Sequence, residues 1–78
     1  MVRRNGAEAR KERMQQIAQY IQAKLHNAGE VSLSKTVAEL QYKFGLTDER
    51  IMEYLKILEK LGEFIIDKEL DIIRKPTK

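Results

Sequence analysis
Three stretches of helical apolar periodicity, each closed by a glycine, constrain this chain more than any other feature of its sequence. In the first, Met14, Ile17, Ala18, Ile21, Leu25 and Ala28 recur at spacings of three and four. They lie along one face of a helix expected over 8–28, with Gly29 as its stop. Ser34 reads as the N-cap of a second helix over 34–44, whose apolar face is Val37, Leu40 and Phe44 with Ala38 and Tyr42 beside them; Gly45 ends it. Leu46 is the buried residue of a tight turn. Thr47 is the next N-cap, and Asp48 and Glu49 fall in the first turn, where the helix dipole favours acids. The third helix, over 47–61, carries Ile51, Leu55, Leu58 and Leu61 inward and meets its stop at Gly62.

The segments between and after these helices read as β. Glu30-Val31-Ser32-Leu33 alternates just long enough for a brief strand. After Gly62, Phe64-Ile65-Ile66 and Leu70-Asp71-Ile72-Ile73-Arg74 flank the charged Asp67-Lys68-Glu69, which implies a hairpin over 63–74. Its turn lacks the Asn-Gly or Asp-Gly pair that would set the register, and Pro76 ends any strand. The expected fold is mainly α with a small β-hairpin, one domain over 1–78 with a flexible basic arm at 1–7 and a tail at 75–78.

With 78 residues there is room for one core. Cysteine is absent and His26 is the single histidine, so no disulfide, thiolate zinc site or metal site is expected, and the core must be hydrophobic. His26 reads as a solvated residue near a helix end. Apolar residues at 42% and charged residues at 35% suit a folded domain with a heavily ionised surface. No apolar run approaches the roughly 20 residues of a membrane span, and Met1 to Gly6 lacks the apolar stretch of a signal peptide; a cytoplasmic location is expected. No Gly-rich phosphate loop follows a strand, and carboxylates such as Asp48 and Glu53 sit on an exposed helix face. Neither an enzyme nor a cofactor is expected.

The net charge of +3 conceals an uneven distribution. Arg3, Arg4, Arg10, Lys11 and Arg13 stand against Glu8 and Glu12 in residues 1–13, and Arg74, Lys75 and Lys78 close the chain. Each end therefore carries +3 and the segment between them −3. Positive charge is thus concentrated at the two ends of the chain.

The order long helix, short strand, helix, tight turn, helix, hairpin resembles the winged helix-turn-helix superfamily of transcription regulators over roughly residues 10–75. Val37-Ala38-Glu39-Leu40 with Phe44-Gly45-Leu46 is similar to the first helix and turn of that motif. Ile51, Leu55, Leu58 and Gly62 take the places of the buried positions and terminal glycine of its second helix. The resemblance implies double-stranded DNA binding, with the third helix in the major groove and the hairpin as a wing on phosphates. Arg50 and Lys56 are then the groove contacts. Lys68, Arg74 and Lys75 belong to the wing, Arg3, Arg4, Arg10, Lys11 and Arg13 to a basic arm, and Lys35 and Lys43 are further phosphate contacts. The acids Asp48, Glu49 and Glu53 depart from the family's basic recognition helix and shift the weight onto arm and wing. Tyr42 and Tyr54 lie beside apolar faces and read as packed, with their hydroxyls at the surface.

Family members commonly pair through flanking helices, so a homodimer through the first helix is implied, and an Ile17-Ile21-Leu25 edge left exposed after folding would favour it. A nucleoid-associated regulator, whether activator, repressor or architectural protein, follows from this reading. The alternative is a winged helix that serves as a protein-protein interaction module in a larger assembly, which would account for an acidic third helix.

Overall fold
Local stop signals divide the chain into six elements, seen in a computed structural model that describes residues 6–76. They are α1 (Gly6–Ala28), β1 (Glu30–Ser32), α2 (Leu33–Phe44), α3 (Asp48–Lys60), β2 (Ile65–Asp67) and β3 (Ile72–Arg74). Gly45 closes α2 with φ 67°, a left-handed conformation that only glycine adopts without steric cost, and its N–H donates to the Gln41 carbonyl at 2.8 Å. Thr47 caps α3 as expected, its hydroxyl accepting from the Arg50 N–H at 3.2 Å. At the other end of α3 the Gly62 N–H donates to the Glu59 carbonyl and the Glu63 N–H to the Leu58 carbonyl, the paired bonds of a Schellman stop.

The three strands form one antiparallel sheet in the order β1-β3-β2, with Val31 and Ile66 both opposite Ile73. The brief strand before α2 thus joins the hairpin. The three helices and the three-stranded sheet are compatible with a winged helix layout. Within the hairpin, the turn begins one residue later than the sequence suggests: Asp67 ends β2, and Leu70 and Asp71 belong to the turn. Leu70 is accordingly 65% exposed.

The core draws on every helix. Ile17 and Ile21 of α1, Leu40 of α2, Ile51 and Leu55 of α3, Phe64 and Ile73 are sealed from solvent, each such burial contributing about 1.5–3 kcal/mol. The Ile17-Ile21-Leu25 edge is therefore not exposed; it faces the chain's own core, and the support it offered for pairing through α1 is gone. Thr36 is buried as well, a position the apolar pattern passed over. Conversely Ala28 and Ala38 are not in the core, and Leu61 is 67% exposed, because the inner face of α3 is completed by Tyr54 and the helix ends before Leu61 can turn inward. Tyr54 is packed, as expected, but Tyr42 is 93% exposed and lies outside the core.

The N-terminus of α2 shows how the hairpin is fastened. Ser32, not Ser34, is the N-cap, its hydroxyl accepting from the Lys35 N–H at 3.2 Å. The two preceding N–H groups are satisfied from across the fold: Leu33 N–H donates to the Asp71 carbonyl at 2.8 Å and Ser34 N–H to Asp71 Oδ1 at 3.2 Å. The Ser34 hydroxyl donates to the same oxygen at 2.7 Å, and the Ser32 hydroxyl to Asp71 Oδ2 at 3.3 Å. Asp71 makes these bonds at φ 55°, a conformation that Asp and Asn tolerate better than other side chains. Its negative charge also complements the positive end of the helix dipole. Replacing Asp71 with Ala removes the capping carboxylate and leaves a Cβ-bearing residue in the left-handed region without local hydrogen bonding. Urea unfolding should show Asp71→Ala destabilised by about 2–3 kcal/mol and Asp71→Asn by roughly half of that. Equal losses in the two variants would refute the capping role.

Candidate functional site
An amphipathic helix set beside a twisted hairpin leaves a trough between them, and here α3 and the β2–β3 hairpin enclose a groove of about 730 Å³. Lys56 and Lys60, four residues apart on α3, line one wall, and Lys68 and Arg74 line the hairpin side. Ile65, Ile66 and Met52 supply its apolar lining. Three acids also border the groove, but two of them are committed to the backbone. Glu59 Oε2 accepts from the Ile66 N–H at 2.8 Å, and Asp67 Oδ1 accepts from the Leu70 N–H at 3.0 Å. The groove thus gathers four cations on long side chains over a fixed backbone, an arrangement suited to an extended polyanion.

The remaining positions chosen from the sequence do not gather here. Arg50 stands outside the groove with its guanidinium 3.9 Å from the Glu53 carboxylate, where water screens a pair whose side chains are 48% and 62% exposed. Lys75 follows Arg74 but lines a separate hollow with Gln22, His26 and Glu63, because successive side chains of an extended segment point to opposite faces. His26 is exposed near the end of α1, in keeping with a solvated residue. Arg10, Lys11 and Arg13 lie on α1, not in an extended arm. Arg13 serves the fold itself, since Nη1 donates to the Phe44 carbonyl at 3.2 Å and its guanidinium lies 5.1 Å from the Phe44 ring centre, closing the C-terminal end of α2. Arg3 and Arg4 fall outside the described residues. Lys60 joins the groove without having stood out in the sequence, although its spacing of four from Lys56 was a visible signal.

Lys35 and Lys43 belong to a second surface, on the side of α2 turned away from α3. Tyr20 of α1 lies between two ammonium groups, Lys24 at 5.0 Å and Lys43 at 5.3 Å from its ring centre. Its hydroxyl donates to Glu39 Oε1 at 3.2 Å, and Lys24 donates to the same carboxylate oxygen. A hollow of about 530 Å³ lies over this cluster, lined by Tyr20, Lys35, Ala38, Glu39, Tyr42 and Lys43. No helix among the described residues is long and apolar enough to cross a membrane. Comparison with known proteins adds no neighbour to this geometry: no family model, curated protein or solved structure matches the chain.

The hydrogen bond from Lys24 holds the Glu39 carboxyl below the usual carboxylate range, and the same bond holds the Lys24 ammonium above the usual lysine value. A carboxyl with a depressed folded pKa adds stability above its unfolded value and loses it as the pH falls through the folded one; for the lysine, stability is lost as the pH rises through the raised value. The pair therefore contributes fully between these limits. Because both side chains are about a third exposed, at 31% and 32%, the contribution is under about 1 kcal/mol. Glu39→Gln should lower thermal stability slightly at neutral pH and match the unaltered protein once the pH falls below the depressed Glu39 value. A difference that persists undiminished in acid would mean that packing, not charge, is responsible.

Proposed function
We propose that this chain is a winged helix protein that binds double-stranded DNA, as a small transcription regulator or DNA-associated protein, and that it grips the phosphate backbone before it reads bases. The observation that carries this is the groove between α3 and the hairpin, where Lys56, Lys60, Lys68 and Arg74 converge on one concave surface while Glu59 and Asp67 are held by backbone N–H groups. Phosphate contacts of this kind fix a protein on the duplex without sequence information. The acids at the start of α3 disfavour close approach of that end to a polyanion, and Arg50 is drawn toward Glu53. Sequence discrimination is therefore modest. The C-terminal half of α3 and the wing carry the affinity.

A second reading, a protein-protein interaction module, is favoured by the same acids and by the exposed ring of Tyr42. Duplex affinity separates the two. Fluorescence anisotropy with a short mixed-sequence duplex should show binding that weakens with salt, the logarithmic slope being about −0.9 for each phosphate contact. Lys56→Ala, Lys60→Ala and Arg74→Ala should each flatten that slope by about one contact, whereas Arg50→Ala should leave it unchanged. Absence of binding at low salt would eliminate the DNA reading. Loss of binding only on removal of residues 1–5 would transfer the contacts to Arg3 and Arg4.

A further inference from the structure
Two surfaces outside the DNA groove are exposed, and they complement each other. Glu49, Glu53 and Ile57 of α3 and Leu61, its C-cap in right-handed helical conformation, follow one another at intervals of four and form a single ridge. Its first half is acidic, with Asp48 alongside and Arg50 as the one opposing charge. Its second half is apolar and uncovered, Ile57 being 43% and Leu61 67% exposed. On the outer face of α2, Ala38 leaves a notch between the rings of Tyr20 and Tyr42, and Lys35 and Lys43 bracket it. Glu39, the one acid lining it, is already neutralised by Lys24.

We propose that a second copy of this chain docks here, the α3 ridge of one molecule entering the α1–α2 notch of the next. Helices pack by setting ridges into grooves, and a small residue at the contact lets them approach closely. In this arrangement Ile57 and Leu61 cover the ring of Tyr42 and the methyl of Ala38, and Glu49 and Glu53 come beside Lys35 and Lys43. The pairing explains why a tyrosine stands 93% exposed and why two aliphatic side chains are left uncovered on the side of α3 away from the DNA groove. A nucleic acid suits the notch less well, since its lining is apolar and a carboxylate lies in it. Ridge and notch are different surfaces, so the contact is heterologous: each copy offers one of each, and copies add head to tail. The arrangement leaves Lys56, Lys60, Lys68 and Arg74 free and does not depend on the DNA reading.

Sedimentation velocity of the full chain, without DNA, tests this. The mean mass should rise with protein concentration past that of a dimer and fall again at high salt, where the charge complementarity is screened. Reversing the ridge (Glu49→Lys with Glu53→Lys) or the notch (Lys35→Glu with Lys43→Glu) should weaken association at least about tenfold, and combining both reversals in one chain should restore it. Tyr42→Ala should weaken it with no change in circular dichroism. A wild-type chain that stays monomeric at low salt overturns the proposal, as does association indifferent to these substitutions. So does movement of the Tyr20, Tyr42 and Lys43 amide resonances on adding oligothymidylate or an alternating Glu-Leu peptide to a monomeric chain, which would give the notch to a nucleic acid or to a foreign acidic segment.

Discussion
The carboxylate and carbonyl of Asp71 tie the hairpin to the start of α2. A two-stranded hairpin with strands this short has little stability of its own, and it needs a third strand or a helix to hold it. β1 supplies the third strand, and Asp71 supplies the tie to α2 by satisfying N–H groups that a helix leaves open at its start. One residue therefore sets both the turn of the hairpin and the origin of the helix packed against α3. The hairpin is also tied to α3 directly, through the Ile66 N–H and Glu59, and the two ties together hold Lys68 and Arg74 across the groove from Lys56 and Lys60.

The polar groups near the groove illustrate how charge is assigned by context. Counted as formal charges, Glu59, Asp67 and Glu69 offset three of the four cations that line the groove. Glu59 and Asp67 each turn one carboxylate oxygen to a backbone N–H, which fixes where their negative charge sits without removing it. Arg13 is the converse: counted with the basic end of the chain, it is engaged in closing α2 against the Phe44 carbonyl and ring. A cation engaged in this way adds to the net charge and to the long-range field, but one of its N–H donors and one face of its guanidinium are committed to the fold.

Helix α3 is divided along its length. Its first turn carries Asp48 and Glu49, which its own dipole favours, and its last turn carries Lys60, which the opposite end of the dipole favours. The physics that stabilises the helix thus also places unlike charges at its two ends. The uncovered aliphatic pair Ile57 and Leu61 lies on the ridge that continues from the acidic half.

The helix ends were legible in the residues themselves. Gly45, Thr47 and Gly62 act through their own backbone or through N–H groups within four residues, so the sequence alone determined where α2 stops and where α3 starts and stops. The apolar stripes of α1 and α3 likewise announced Ile17, Ile21, Ile51, Leu55 and Leu58 as core. What the sequence could not determine was which element lies opposite which. Ser32 and Ser34 are both cap residues by type; the cap is Ser32, through its bond to the Lys35 N–H, and Ser34 is instead bonded to Asp71 from across the fold. Tyr42 and Leu61 looked buried because they adjoin apolar stripes, but burial requires a facing surface, and tertiary packing provided none. Lys56, Lys68 and Arg74 were legible as basic positions and Lys60 repeats Lys56 one helical turn on, but that the four line one groove follows from the packing of the hairpin beside α3, a non-local event that no spacing along the chain encodes.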